Sequence, residues 1–143
     1  MASQGTARTD GHYIAPAIFA DVDPASDLAQ KEILGPVLAV SRAKDIANTL
    51  EIANATEYAL TGGLYSRSPA TIELVKQNYL VGNLYINRGI TRALVERHPF
   101  GGFKPSGVGS KAGGPDYLLQ FLEPKVVTAN TMRRGFVPAE DEA

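Results

Sequence analysis

A glycine- and proline-rich segment, HPFGGFKPSGVGSKAGGPDY at residues 98–117, is the first place where nucleotide chemistry could be sought. Residues 107–112 fit the G-x-G-x-x-A spacing of a dinucleotide fingerprint, but that fingerprint needs a strand before it and a helix after it. Here Pro105 comes shortly before the pattern and a Gly-Gly-Pro run follows it. A P-loop is excluded as well, because Val108 and not lysine follows Gly107. The segment instead indicates an ordered loop whose glycines bring its backbone close to another group.

The second candidate is Glu32, in the stretch QKEILGPVL at residues 30–38. Two interpretations stay open from the residues alone. Glu32 is either a solvated glutamate at a helix end or a carboxylate held at the entrance of a strand. In the second case it could accept two hydroxyls of a sugar, because a carboxylate accepts hydrogen bonds without donating and takes two donors at once.

Composition excludes several classes of function. The chain has 143 residues and no cysteine, which excludes a disulfide scaffold, a cysteine metal site and a thiol nucleophile from this chain. The two histidines, His12 and His98, are far apart, so no metal site is predicted. The net charge is −1 with scattered basic residues, so no nucleic-acid partner is expected. No apolar run approaches the ~18 residues of a membrane span, and the cytoplasm is the expected location.

The elements that must position these segments alternate between strand and helix. Apolar runs predict strands at residues 36–40, 63–65 and 83–86. Helical spacing of apolar residues predicts helices over 43–55 and 69–79, the latter capped by Ser68. A short helix is predicted from Gly114 and a final strand over 125–131. Strands alternating with helices predict an α/β fold with a mostly parallel sheet, in which residues 36–40 are covered on both faces.

Five segments in this order resemble one family: KEILGPVLAV, ALTGGLYS, VGNLYINRG, PFGGFKPSG and SKAGGPDYLLQFLEPK. They are similar to the C-terminal part of the aldehyde dehydrogenase superfamily, and within it to the 1-pyrroline-5-carboxylate (L-glutamate γ-semialdehyde) dehydrogenase branch. The resemblance implies four parts: a flexible segment over 1–10, the C-terminal part of the catalytic domain over 11–123, an oligomerisation strand over 124–132 and a polar tail over 133–143.

The resemblance also implies roles for individual residues. Glu32 matches the glutamate that binds the ribose hydroxyls of the nicotinamide half of NAD, and Leu34 stands where relatives usually carry phenylalanine beside that ribose. The loop that ends in Pro-Phe-Gly-Gly, and with it Phe100, would line the aldehyde site. Backbone amides at Arg92 and Ala93 would anchor the α-carboxylate of glutamate semialdehyde. Relatives usually carry glycine at the position of Arg92, so this arginine could block the pocket or pair with the carboxylate directly.

The missing cysteine decides which part of the family's reaction this chain can perform. In the family a cysteine thiolate attacks the aldehyde, hydride passes to NAD and a glutamate-activated water releases the acid. The cysteine, that glutamate and the dinucleotide domain lie N-terminal to the region matched here, so no catalytic residue is assigned to this chain and we expect no turnover by it alone. The preference of the whole enzyme for NAD over NADP would be set in the dinucleotide domain.

Three origins fit these observations. The chain could be a truncated piece of a dehydrogenase, or a separately encoded half that is completed by a cysteine-bearing partner. It could also be a non-catalytic binding or assembly module, which would fold and self-associate without a partner. The first two origins predict an exposed apolar face where the rest of the catalytic domain packs.

Overall fold

The computed structural model describes residues 2–130, and strands and helices alternate along most of that length. The strands and helices are β1 (Ala2–Gln4), β2 (Ala17–Ala20), α1 (Asp27–Gln30), β3 (Val37–Val40), α2 (Ile46–Asn54), β4 (Thr61–Leu64), α3 (Pro69–Asn78) and β5 (Asn83–Ile86). Two short 3-10 turns follow, at Lys104–Ser106 and Tyr117–Phe121. This alternation confirms the predicted α/β class.

Side-chain caps fix where the two longer helices begin. The Ser68 hydroxyl accepts a hydrogen bond from a backbone N–H in the first turn of α3, and Pro69 occupies the first helical position, as predicted. At the start of α2 the Asp45 carboxylate accepts from the N–H of Asn48 at 2.8 Å. The earlier start predicted for this helix, at residue 43, is wrong because Asp45 is an extended cap residue.

The strands form two sheets. In the first, β2 pairs in parallel with β3 and antiparallel with β1. In the second, β4 pairs in parallel with β5, whose bounds agree with the predicted strand over 83–86. The predicted mostly parallel pairing is therefore confirmed, and in the described chain it is divided between two separate sheets, one with an antiparallel edge. The segment 1–10 was expected to be flexible, yet its residues Ala2–Gln4 pair with β2.

One face of the first sheet is open. Leu38 and Val40 on β3 are exposed, and so is Ile18, which lies opposite Leu38 in the register. The prediction that β3 is covered on both faces is therefore wrong for this chain. Apolar side chains of a parallel strand normally pack under helices or neighbouring elements. These three side chains have no such cover within the described residues.

The core is small for the length of the chain. The buried apolar residues of the described part are Ala15, Ala59, Val75, Val81 and Tyr85. The exposed surface is 12009 Å², whereas a folded monomer of this mass exposes about 7,100 Å². Counting the residues outside the described range as fully extended removes only ~2,200 Å² of this excess, so at least ~2,700 Å² remains. An excess of this size is what a protein shows when a large partner surface is missing.

The C-terminal part of the described chain is short of regular structure. The helix predicted from Gly114 is a 3-10 turn at Tyr117–Phe121, and its apolar side chains Leu118 and Leu119 are exposed, so no packing partner favours a longer helix. Residues 124–130 have no regular secondary structure. The oligomerisation strand over 124–132 requires a second subunit and stays a prediction, while residues 131–132 and the polar tail 133–143 lie outside the described residues. Within residues 2–130, no helix is long and apolar enough to cross a bilayer.

Candidate functional site

Glu32 lines a cleft of about 310 Å³. Its neighbours in the lining are Ala29, Gln30, Lys31, Thr56, Tyr58, Leu60 and Ser106. The adjacent Lys31 is occupied by an ion pair with Asp27 at 2.8 Å. Glu32 makes no hydrogen bond or ion pair within the described residues, so both carboxylate oxygens are free to accept donors. A cleft at the small end of ligand-pocket volumes has room for a ribose but not for a whole dinucleotide.

The glycine-rich loop reaches this cleft through Ser106. The Ser106 hydroxyl accepts from the backbone N–H of Ala59 at 3.0 Å. The Ala59 carbonyl accepts in turn from the N–H groups of Phe103 and Gly82, each at 3.0 Å. Because Ala59 is buried just before β4, these bonds fix the loop on the second sheet. The loop therefore supplies one wall of the cleft that holds Glu32.

Asn83, the first residue of β5, clamps the beginning of the loop. Its side-chain amide donates to the carbonyl of Pro99 at 2.8 Å, and its amide oxygen accepts from the N–H of Gly101 at 3.1 Å. Phe100 lies between these two contacts and pairs through its backbone with Ala112, with both N–H···O distances at 2.9 Å. The Phe100 backbone is thus held from two sides while its side chain stays partly exposed.

Two lysines of the loop bind backbone carbonyls. The Lys104 amine donates to the carbonyls of Asn54 and Thr56, at 2.9 and 2.8 Å, where a cation complements the negative end of the α2 dipole. The Lys111 amine donates to the carbonyl of Gly101 at 2.7 Å and lies 5.0 Å from the ring centre of Phe103. Burial lowers the pKa of Lys111 from its ordinary value. These contacts join the loop to α2 and to its own first turn.

Glycines in the loop, and Gly82 beside it, allow close backbone packing. A Cβ built on Gly82 would lie 1.9 Å from the carbonyl oxygen of Gly101, and one on Gly102 would lie 2.5 Å from Ser106. The expectation that this backbone is brought close to another group is confirmed. The group is neighbouring backbone of the same chain.

The other predicted site residues lie outside the lining of the Glu32 cleft. Leu34 is 88% exposed, and Arg92 and Ala93 are exposed on the segment between β5 and Phe100. The structure therefore brings Glu32 together with the glycine-rich loop but does not bring Leu34, Arg92 or Ala93 into that cleft. Their assignment to ligands stays a prediction.

Four of the six non-glycine residues with positive φ in the described chain lie on the segments that carry these predicted residues or on the glycine-rich loop. Leu34, Arg92, Glu96 and Lys104 have φ values of 54, 74, 65 and 54°, in the left-handed region that costs an L-residue roughly 1–2 kcal/mol. Such residues cluster at binding and catalytic sites. The positive φ of Arg92 has a simple explanation. Relatives usually carry glycine at this position, and Arg92 keeps the backbone conformation that glycine adopts easily.

We expect Arg92→Gly to raise the free energy of unfolding by about 0.5–1 kcal/mol. Relief of the left-handed strain outweighs the larger chain entropy of glycine in the unfolded state. Arg97→Gly in the same segment is the matched control, because Arg97 is not among the residues with positive φ, and it should lower stability by a similar amount. Urea unfolding of both variants measures this, and a loss of stability in Arg92→Gly would show that the arginine side chain makes a contact that compensates for its backbone.

Three residues that support the site were not predicted from the sequence. Asn83 was interpreted only as the start of a strand, and Lys104 and Ser106 only as part of the loop. The one signal that could have indicated a structural role for Asn83 is its position as a polar residue at the start of a predicted strand. The contacts of Lys104 with residues about fifty positions earlier carry no local signal.

The aldehyde dehydrogenase family profile matches residues 2–127. The chain belongs to this family. The resemblance noted from KEILGPVLAV, PFGGFKPSG and their companions is therefore confirmed, and so is its narrower branch, since the similar curated proteins are named 1-pyrroline-5-carboxylate dehydrogenase. One of them, from Geobacillus sp. (strain WCH70), is 53% identical over 118 residues, which are 82% of this chain and 23% of that protein.

Solved aldehyde dehydrogenase structures contain the same fold. Proline utilization A from Bdellovibrio bacteriovorus, inactivated by N-propargylglycine, matches with a TM-score of 0.88 and 62% identity over 96% of this chain and 14% of that one. A 1-pyrroline-5-carboxylate dehydrogenase from Thermus with bound NAD matches with a TM-score of 0.79 and 49% identity, covering 85% of this chain and 24% of that one. The chain thus spans about a quarter or less of the length of the relatives it matches.

Proposed function

We propose that this chain is the C-terminal portion of an NAD-dependent 1-pyrroline-5-carboxylate dehydrogenase, which oxidises L-glutamate γ-semialdehyde to glutamate in proline catabolism. The observation that carries the proposal is the unpaired Glu32 carboxylate in a cleft whose wall includes Ser106 of the PFGGFKPSG loop. Identity of 53% to a dehydrogenase of that name over 82% of the chain supports the same reaction.

Glu32 and Leu34 would contact NAD. The Glu32 carboxylate would accept the two ribose hydroxyls, because its oxygens have no other partner in the described chain and a carboxylate accepts two donors at once. Leu34 would supply an apolar wall on the solvent side of that ribose, which fits its high exposure in the absence of a ligand. When bound, NAD accepts the hydride that leaves the substrate carbon. A dinucleotide-binding domain outside this sequence would hold the remainder of this cofactor.

Arg92, Ala93 and Phe100 would contact the aldehyde substrate. The Arg92 guanidinium makes no hydrogen bond or ion pair with the described residues, so it is free to pair with the α-carboxylate of glutamate semialdehyde. The exposed segment around Ala93 would add backbone N–H donors to the same carboxylate. Phe100, whose backbone is fixed by Ala112, would form an apolar wall beside the carbon chain of the substrate.

The covalent step lies outside this chain. Without cysteine, the chain supplies no thiolate to attack the aldehyde carbon, which would have to come from residues outside this sequence. We therefore expect this chain to be inactive by itself. The strand over 124–132 would join subunits of the assembled enzyme, and the cytoplasmic location expected from the sequence stays a prediction.

Complementation tests the proposal. This chain is co-expressed with the cysteine-bearing remainder of the Geobacillus enzyme, that is, the enzyme without the segment that matches this chain. We call the product the complemented enzyme. NADH formation from glutamate semialdehyde should require both polypeptides and be absent for either one alone. A folded complex that forms no NADH with this substrate would contradict the proposal, and self-association of the chain without the remainder would favour an assembly module.

A further inference from the structure

Residues 88–93, which we call the anchor segment, carry the two residues assigned above to the α-carboxylate. Every residue of this segment is exposed. Arg92 has a φ of 74°, a conformation that an arginine keeps only when its surroundings hold it there. The residues just before Arg92 make contacts that can hold it, and these contacts therefore bear on where Arg92 and Ala93 lie.

Asn87 fixes the place where the anchor segment begins. Its amide oxygen accepts from the backbone N–H of Ser66, and its amide nitrogen donates to the Ser66 carbonyl, both at 2.9 Å. The φ of Asn87 is 53°, in the left-handed region that asparagine adopts more readily than most residues. Ser66 comes shortly after β4 and Asn87 directly after β5. This pair of bonds therefore joins the carboxyl ends of two parallel strands, the end at which open α/β sheets bind ligands.

Arg88 connects the anchor segment to the core. Its guanidinium carbon lies 5.2 Å from the ring centre of Tyr85, which is only 6% exposed. A terminal nitrogen of the same guanidinium donates to the carbonyl of Thr91 at 3.3 Å. A planar guanidinium can stack on an aromatic face while its edge donates a hydrogen bond, and a lysine ammonium lacks this geometry. Because Thr91 directly precedes Arg92, the Arg88 side chain joins a buried ring to the point at which the backbone turns.

Ile90 folds over the same face of the second sheet. A Cβ built on Gly63 would lie 2.8 Å from the Ile90 Cγ2 atom, so the missing side chain of Gly63 makes room for Ile90. Gly63 lies opposite Tyr85 in the parallel register, and opposite residues on neighbouring strands face the same side of a sheet. The side chains of Arg88 and Ile90 thus hold the anchor segment on one sheet face.

We propose that Arg88 is a positioning residue for substrate recognition. It holds the Thr91 carbonyl close to the buried Tyr85 ring. The next two residues, Arg92 and Ala93, thereby present their donors to the α-carboxylate in a fixed direction. This proposal rests on the proposed function for the identity of the substrate. Both contacts of Arg88 are made within this chain, so Arg88 acts on the substrate through the anchor segment and contributes to the selection of aldehydes that carry an α-carboxylate.

Arg88→Met in the complemented enzyme tests this role, because methionine keeps a long side chain but has neither the charge nor an N–H donor. The KM for glutamate semialdehyde should rise about five- to tenfold, since one exposed cation–π contact and one hydrogen bond are lost. The kcat for this substrate should stay within about twofold of wild type, as expected when only binding is weakened. The KM for NAD and the kcat/KM for butanal, which has no α-carboxylate, should also stay within about twofold.

Arg67→Met is the matched control for the loss of one positive charge at this end of the sheet. Arg67 is exposed and lines the same cleft as Asn87, but in the described part of the chain its guanidinium makes no hydrogen bond, ion pair or ring contact. Its KM for glutamate semialdehyde should therefore stay within about twofold of wild type. An equal rise in both variants would overturn the proposal, because it would show that net charge and not the contacts of Arg88 attracts the substrate.

Backbone order gives a second readout that needs no turnover and no substrate. In NMR relaxation of this chain, the order parameters of the Thr91 and Ala93 amides should be about 0.85 in wild type and below about 0.6 in Arg88→Met, while those of β5 stay unchanged. A direct contact between Arg88 and the substrate would instead raise the KM and leave this order unchanged.

Three results in Arg88→Met would each overturn the proposal: an unchanged KM for glutamate semialdehyde, an equal loss of activity with butanal, or unchanged order of the anchor segment. The proposed function fails separately, if the wild-type complemented enzyme does not oxidise glutamate semialdehyde. In that case, loss of order in Arg88→Met would still show that Arg88 fixes the anchor segment, and unchanged order would overturn that role as well.

Discussion

Replacing Gly82 with alanine should lower the free energy of unfolding by about 3 kcal/mol or more. The new Cβ would lie 1.9 Å from the Gly101 carbonyl oxygen, 2.6 Å from the Gly102 Cα and 2.7 Å from the Gly101 carbonyl carbon. All three atoms belong to backbone, so no side-chain rotation relieves the clash. The loop would have to leave the second sheet, and its bonds to Ala59 and Asn83 would be lost with it.

Gly89→Ala is the matched control for this prediction. Nothing lies within 4 Å of a Cβ built on Gly89, and its φ is not in the left-handed region. Its stability should change by no more than about 0.5 kcal/mol. Urea unfolding monitored by circular dichroism compares the two variants with wild type. Equal midpoints for Gly82→Ala and Gly89→Ala would show that the loop does not pack on Gly82 as described.

Glu32→Gln should raise the KM for NAD of the complemented enzyme by about 10- to 100-fold. Hydrogen bonds to a charged group contribute about 1.5–3 kcal/mol, and each 1.4 kcal/mol corresponds to a tenfold change in affinity. Glutamine keeps the size of the side chain but loses its charge and replaces one acceptor oxygen with a donor, so it cannot offer a separate acceptor oxygen to each ribose hydroxyl. The KM for glutamate semialdehyde should change little, because Glu32 lies outside the segment assigned to the substrate.

Glu57→Gln controls for the loss of one negative charge. Glu57 is exposed and does not belong to the lining of the Glu32 cleft, so its KM for NAD should equal that of wild type. Steady-state NADH formation at varied NAD concentrations provides both values. An unchanged KM in Glu32→Gln would remove Glu32 from the cofactor site and leave it as a solvated glutamate beside α1.

The sequence correctly predicted the helices and strands whose bounds depend on residues close in sequence. Ser68 and Pro69 start α3 because a cap and a first-turn proline act within one turn, and the apolar run at 83–86 gave β5 its bounds. The position of the PFGGFKPSG loop could not be predicted in this way, since it depends on bonds from Lys104 and Ser106 to residues far away in sequence. Only the family resemblance indicated that this loop lines a site.

Two of the predictions that were wrong share one physical cause. Burial of β3 on both faces and a helix beyond Gly114 both require neighbours that the described chain does not provide. Leu38 and Val40 of β3, like Leu118, Leu119 and Phe121, belong to patterns of a buried environment but are exposed here. The sequence pattern therefore describes the packing of a larger assembly, and the isolated chain shows only the part that its own residues can cover.

The most direct test of the central claim is the activity of a chimera in which this chain replaces the matching segment of the Geobacillus dehydrogenase. A covalent chimera does not depend on association between two polypeptides, so its activity tests the contacts with NAD and with the substrate that we propose for this chain. The account predicts NAD-dependent oxidation of glutamate semialdehyde, with a kcat/KM for this substrate above that for aldehydes lacking the α-carboxylate. A folded chimera that binds NAD but does not distinguish these aldehydes would contradict the assignment of this chain to glutamate semialdehyde.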